Sequence, residues 1–276
     1  MKVLLVASAL LGSILAFAAE DADQILKRFL EADARNQVRA NQYTHVEHVD
    51  HFGYEKNNER KKFRSETFEV MFVEGEEYKK LIARADRPLE ASEQAKEDKK
   101  LKQTAAERRK QRKSGMFQKS VDLGRDSDLL TLFDNRVADE DVVQGRKVWV
   151  IESTPRSGGA GASSKREKEV KSFRRTLWID QADGVALRSM HTVVGEHVFL
   201  MRGSTMTWEF EKFNEEAWLV TSLVIDGRMQ IAKMIKPRVR TEYRNSQFQK
   251  FDVKSTITVE QAGIRPSRET ILAAAR

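Results

Sequence analysis

From residue 21 the chain switches between two periodicities, and the switches mark its elements. Residues 21–39 place Ile25, Leu26, Phe29, Leu30 and Ala34 at helical spacing, with Asp21 and Asp23 available to cap the first turn. From Gln42 the repeat shortens to two, the period of a half-buried strand. Residues 43–52 alternate roughly and stop at Gly53. Residues 62–73 set Phe68, Val70 and Phe72 on one face against Thr67, Glu69, Met71 and Val73 on the other. A Glu74-Gly75-Glu76 turn leads into a third strand over residues 78–85, which makes an antiparallel meander. Arg87-Pro88-Leu89 ends that sheet. Residues 90–113 then contain neither Gly nor Pro, with acids early (Glu90, Glu93, Glu97, Asp98) and bases late (Arg108, Arg109, Lys110, Arg112, Lys113), a polarity that complements the helix dipole. So little of this helix is apolar that a surface position is expected, and a shorter helix follows around residues 127–133.

The strand rhythm returns at Val137. Residues 142–153 turn at Gly145-Arg146 and carry the run Val148-Trp149-Val150-Ile151. Residues 157–164 are a Gly/Ser-rich loop by composition. Residues 173–179 and 185–194 form a hairpin whose connection ends in the turn signal Asp183-Gly184. Further strands are expected at residues 204–213, 217–225, 229–237 and 239–252, divided at Asn214 and at Asp226-Gly227, with one more at 254–260. A sheet of about ten to eleven antiparallel strands curls or closes, and helices then cover one face. The expected fold is α+β: a strongly curved antiparallel sheet, an unclosed β-barrel, with an N-terminal helix and a helical insertion covering the concave face.

Ahead of this body, Lys2 precedes an apolar stretch from Val3 to Phe17 that closes on Ala16-Phe17-Ala18. This is the form of a secretory signal peptide cleaved near Ala18, and it is shorter than the roughly 20 apolar residues of a membrane span. The chain contains no Cys, which excludes disulfides, a zinc–thiolate site, a thiol nucleophile and acylation at the leader. The expectation is an exported periplasmic protein, soluble and not lipid-anchored. Its divisions are a signal peptide (1–18), a single domain (19–260, with the helical insertion at 90–134) and a flexible tail (261–276). The net charge of +7 is interspersed. In an exported chain it fits solubility or an anionic membrane surface better than nucleic acid, which is not expected as a partner.

Candidate chemistry is sparse. His45-x-x-His48-x-x-His51 has a metal-like look, but residues three apart on a strand point to opposite faces. His45 and His51 share a face at roughly 20 Å, too far for one ion. Solvated strand histidines are expected, and no metal site. No G-x-S-x-G elbow or phosphate loop is present, and the Glu209/Glu211 pair faces outward opposite Trp208 and Phe210. No catalytic residue and no cofactor is nominated, and an enzyme is not expected.

The aromatic residues carry more information. Trp149, Trp178, Trp208 and Trp218 all fall on strands, and Met206, Trp208 and Phe210 alternate strictly with Thr207, Glu209 and Glu211. Val70, Phe72, Trp149, Ile151, Trp178, Met206, Trp208 and Phe210 are therefore candidates for a core or for the wall of an apolar cavity. Curved sheets with few covering helices hold acyl chains in such cavities.

The order of elements resembles the LolA/LolB-like superfamily of periplasmic lipoprotein carriers, which also includes sigma-factor regulators of the RseB type. The resemblance rests on Tyr43-Thr44-His45-Val46-Glu47-His48, on Phe68-Glu69-Val70-Met71-Phe72-Val73-Glu74-Gly75 with Tyr78-Lys79-Lys80-Leu81-Ile82-Ala83-Arg84, and on Pro88-Leu89 with the charged helix after it. It continues through Gly145-Arg146-Lys147-Val148-Trp149-Val150-Ile151-Glu152-Ser153-Thr154-Pro155-Arg156, Leu177-Trp178-Ile179-Asp180 and Trp218-Leu219-Val220. It implies an unclosed barrel, plugged by helices, that shelters a lipid, a lipoprotein acyl chain or a similar amphiphile. The alternative it implies is an envelope-stress sensing or protein-interaction module of the RseB type, with an envelope protein as partner. LolB-type members are themselves lipoproteins, and this chain departs from them in having no Cys.

Overall fold

The computed structural model describes residues 21–113, 128–157, 164–231 and 234–251. The leader, most of the 157–164 loop, the strand expected at 254–260 and the tail lie outside the described residues.

Helix α1 (Ala22–Ala40) begins at Asp21, whose side chain accepts from the Asp23 amide, and is followed by the meander β1 (Tyr43–Tyr54), β2 (Arg60–Val73) and β3 (Glu76–Arg84). A two-residue β4 (Arg87–Pro88) leads to α2 (Ala91–Lys113) and the short α3 (Asp128–Leu132). Strands β5 (Phe133–Val143) and β6 (Arg146–Pro155) come next, then α4 (Lys165–Val170). The chain closes with β7 (Phe173–Asp180), β8 (Ala186–Val193), β9 (Thr205–Phe213), β10 (Ala217–Ile231) and β11 (Met234–Lys250).

The eleven strands of the described residues join one open sheet in the order β4-β3-β2-β1-β11-β10-β9-β8-β7-β6-β5. Among the described residues every pairing is antiparallel and only β1–β11 joins strands distant in sequence, so the first and last long strands meet in mid-sheet. Bulges interrupt the ladder at several places, among them Thr44/Val46, His51/Phe52, Trp178/Ile179 and Val220/Ser222. Each adds twist and bends its strand, which curls the sheet without closing it. The two edges are blunted. One is the two-residue β4, and the other is β5, whose exposed run Asp139-Glu140-Asp141 discourages pairing with another chain.

Three sequence expectations need revision. Asp226-Gly227 is not a turn: β10 runs through it, with Gly227 opposite Val239. A Cβ at Gly227 would stand 2.7 Å from the Ser204 Cα, so this glycine serves a close approach of backbones and not a chain reversal. The expected segments at 229–237 and 239–252 are divided differently: residues 229–231 end β10, and β11 runs unbroken over Met234–Lys250, with Pro237 tolerated inside a register shift opposite Arg228–Gln230. Helix α4 was not expected, although Ser164 accepts from the Glu167 amide at 3.1 Å in a Ser-x-x-Glu capping pattern that the sequence carries.

The helical insertion divides between the two faces. α3 joins α1 on the concave face, where Ile25, Leu26 and Phe29 pack with Leu129, Phe133, Ile151, Leu177 and Ile179 in one dry cluster. α2 lies against the outer face of β2 and β3, where Leu101 and Ala105 meet Met71 and Val73. Its narrow apolar contact is framed by ion pairs: Lys80–Asp98 at 2.7 Å, Arg84–Glu93 at 3.0 Å, Arg108–Glu76 at 3.2 Å and Arg109–Glu74 at 2.7 Å.

Candidate functional site

The C-terminal half of α1 does not continue the dry core. Asp33, Asn36, Gln37 and Ala40 border an open cavity of about 500 Å³ between the helix and the concave face. The helix is held over this space by polar bonds at its rim. The Asn36 amide donates to the Trp218 carbonyl at 2.8 Å and accepts from the Trp218 amide at 2.7 Å, and Arg39 donates to the Glu216 carbonyl at 2.9 Å. Such ties fix the helix at a set height without filling the space beneath it.

The apolar part of the wall comes from strands scattered through the sequence. β2 contributes Val70 and Phe72, β9 contributes Trp208 and Phe210, β10 contributes Val220 and Leu223, and β11 contributes Tyr243 and Phe248. Strand alternation puts these side chains on the face that α1 covers; Met71 and Val73 face α2 instead.

Polar side chains interrupt this apolar lining, among them Glu77, Ser189 and Asn245, and two polar features stand out. Glu47, almost fully buried, accepts two hydrogen bonds from the Lys79 ammonium, at 2.9 and 2.7 Å, and the lysine side chain reaches solvent. His45 and His191 both border the cavity, His45 against Phe248 (ring centroids 5.4 Å) and His191 against Trp208 (4.8 Å). Burial, aided by Lys79, holds His45 down to about 4, and burial, aided by Arg175, holds His191 down to about 3. Both imidazoles are neutral at neutral pH, so the cavity presents them as weakly polar aromatic surface.

Of the eight residues nominated from sequence, Val70, Phe72, Trp208 and Phe210 line this cavity. Ile151 is fully buried in the cluster under the N-terminal half of α1, and Trp149 packs against that cluster with the Arg28 guanidinium 4.9 Å above its ring. Met206 packs with Phe173, Val193 and Leu200. Trp178 alternates with the core residues Leu177 and Ile179 and carries the Arg188 guanidinium 5.5 Å over its ring. His45, Glu47, Lys79 and His191 were not nominated. The alternation of His45 and Glu47 along β1 was legible, but their shared face became meaningful only when β1 paired with β2 and β11.

His48 corrects a different expectation, for it is fully buried and not solvated. On the outer face its Nδ1 bonds the Thr67 hydroxyl at 2.9 Å, while Nε2 lies 3.2 Å from Asp50 and 3.7 Å from Asp86. These three residues are the one group of metal-ligand type found among the described residues. Lys62 stands 3.2 Å from Asp50 and 3.5 Å from Asp86, and Arg244 lies 2.6 Å from Asp50. Burial opposes the charge on Asp50, but Arg244 and Lys62 outweigh it and hold the carboxyl below its usual range. The ammonium of Lys62 already fills the cation position, so the group is a salt-bridged cluster.

No protein-family profile and no curated protein matches the chain. Among solved structures it is similar to a protein described as an outer membrane lipoprotein-sorting domain from Vibrio parahaemolyticus, with 11% identity, 86% of this chain and 97% of that one covered, and a TM-score of 0.40. It is also similar to a LolA superfamily protein from Nitrosomonas europaea (12% identity, 85% and 96% covered, TM-score 0.35). A third likeness is to the MucA/MucB complex of Pseudomonas aeruginosa (12% identity, 84% and 99% covered, TM-score 0.26). The likenesses are loose, and the case for function rests on the cavity.

Proposed function

We propose that the protein shelters a lipid, a lipoprotein acyl chain or a similar amphiphile in the cavity beneath α1, as an exported periplasmic binding protein. The observation that carries this is the cavity itself: about 500 Å³, walled by Val70, Phe72, Trp208, Phe210 and Leu223, with ionic groups set at one part of the wall. The volume lies within the range of about 300–1,000 Å³ usual for small-molecule sites. Each methylene that leaves water for such a wall contributes about 0.8 kcal/mol, so a chain of modest length suffices for binding. The paired Glu47 and half-exposed Lys79 give the polar end of an amphiphile a charged place beside solvent. Export to the periplasm rests on the leader sequence; among the described residues no helix is long and apolar enough to cross a membrane.

The test is native mass spectrometry of gently purified protein, together with titration by a fluorescent fatty-acid probe. A co-purifying amphiphile and saturable uptake that Phe72→Asp abolishes are expected. Protein that is always empty and takes up no probe overturns the reading. A protein-interaction module of the RseB type would instead capture an envelope protein on crosslinking with Phe72→Asp as well as with the wild type.

A further inference from the structure

The connection between β8 and β9 ends in an apolar tip that the fold does not use. Val198 and Phe199 are 61% and 56% exposed, although the chain on either side is firmly held. Leu200 turns inward and packs with Phe173, Val193 and Met206, and it bridges Met229 on β10. The Phe199 carbonyl accepts from the Gln230 amide at 2.8 Å, and the Met201 amide donates to the Arg228 carbonyl at 2.9 Å. His197 Nδ1 accepts from the amides of Phe199 and Leu200 at 3.3 and 3.0 Å. Two adjacent bulky apolar side chains are thus presented to water by a backbone bonded on both sides. Among the described residues the other large exposed apolar side chains, Val38, Phe63 and Val142, stand singly, which is ordinary for a protein surface.

Two arginines flank the tip, while Glu169 lies near His197 at its base. Arg202 and Arg228 are both exposed beside it, and among the described residues no carboxylate pairs with either. Glu196 is the one acidic residue in residues 195–203. The tip also stands at the end of an aromatic series that leads to the cavity wall: His197 on Phe173 at 5.1 Å, Phe173 on His191 at 6.0 Å, and His191 on Trp208 at 4.8 Å.

We infer that the Val198–Phe199 tip, flanked by Arg202 and Arg228, is a docking element for an anionic lipid bilayer surface. Bulky apolar side chains enter the boundary between headgroups and acyl chains, while arginines at their base meet the anionic headgroups. The firm hold on the loop means that little conformational entropy is lost on docking. The inference stands on the loop and not on what the cavity holds, but it places a membrane contact at the end of the aromatic series that begins at the cavity wall.

The experiment is flotation of the full chain with vesicles of phosphatidylglycerol and phosphatidylethanolamine, compared with vesicles of phosphatidylcholine alone. The wild type is expected to float with the anionic vesicles, less so at high salt. Val198→Asp/Phe199→Asp should lower the partition coefficient about tenfold or more, because both apolar contacts are lost. The milder Val198→Ser/Phe199→Ser should lower it as well, which guards against a folding defect in the first variant. Arg202→Gln/Arg228→Gln should weaken binding to the anionic vesicles only and flatten the salt dependence. A wild type that does not float, or Ser and Asp variants that float as well as the wild type, overturns the inference. Probe uptake without vesicles should be unchanged in all three variants. If the wild type takes up no probe yet floats, the cavity reading fails and the docking surface stands.

Discussion

Along α1 the same helix meets the same sheet in two ways. Its first half sends Ile25, Leu26 and Phe29 into a dry cluster with Leu129, Phe133 and Ile151. Its second half presents Asp33, Asn36 and Gln37 to an open cavity and is tied at the rim by the Asn36–Trp218 bonds. The difference arises because α3 and α4 reinforce only one end of the concave face: Leu129 of α3 and Val170 of α4 both sit in the dry cluster. A sheet of eleven strands offers more concave surface than one helix can cover. Where a second helix is present the surface becomes core, and where none is present it becomes a cavity.

The filled half should bear most of the stability. Phe133→Ala should lower it by about 3–5 kcal/mol in chemical denaturation, since a fully buried ring is removed from a packed cluster. The folded fraction should still take up probe.

Acid should then act first on the buried histidines, two of which border the open half. His45 and His191 are held down to about 4 and about 3 by burial, so the unfolded chain binds their protons more readily than the folded one. Their contribution is complete above the unfolded value of 6.5 and is lost as pH falls from there toward about 4. Between pH 7 and pH 5 each accounts for up to about 2 kcal/mol. Asp180, by contrast, accepts from Arg146 at 2.7 and 2.9 Å. Burial opposes its charge, but the Arg146 bond and backbone amides outweigh this and hold it below its usual value. Its contribution is present above 3.8 and is lost only below that. Unfolding midpoints at pH 7, 5 and 3 should resolve the two windows, and His45→Gln/His191→Gln should narrow the upper one, which His48, His51 and His197 share because burial lowers them as well.

Phe72→Ala/Trp208→Ala should show the reverse balance from Phe133→Ala. Probe affinity should drop about tenfold or more, while stability falls by less than about 2 kcal/mol, because both rings face open space. If this pair destabilises as much as Phe133→Ala does, the two halves of the concave face do not differ in kind. The smallest effect belongs outside both. Lys61→Gln, which breaks the exposed 3.4 Å bridge to Glu55, should change stability by less than about 1 kcal/mol and leave probe uptake alone.

Much of the architecture was legible in the residues. The period-two pattern of Phe68, Val70 and Phe72 placed them on one face, and Val70 and Phe72 do share the cavity wall. Turn residues marked most of the hairpins. Gly227 misled because glycine serves a turn and a close backbone approach equally well, and only the position of Ser204 decides between them. His48 misled because strand parity tells which way a side chain points and not whether that face is covered.

Residue order fixed the helix, the antiparallel hairpins and the alternation of faces, because these depend on neighbours within a few positions. Which apolar residues became core and which became cavity wall was settled by long-range packing. Ile151 and Trp208 are equally apolar strand residues, yet one is sealed beneath α1 and α3 and the other borders open space. That outcome depends on how far α1 reaches, on where α3 and α4 dock, and on the β1–β11 pairing that joins the two ends of the chain, none of which local sequence encodes.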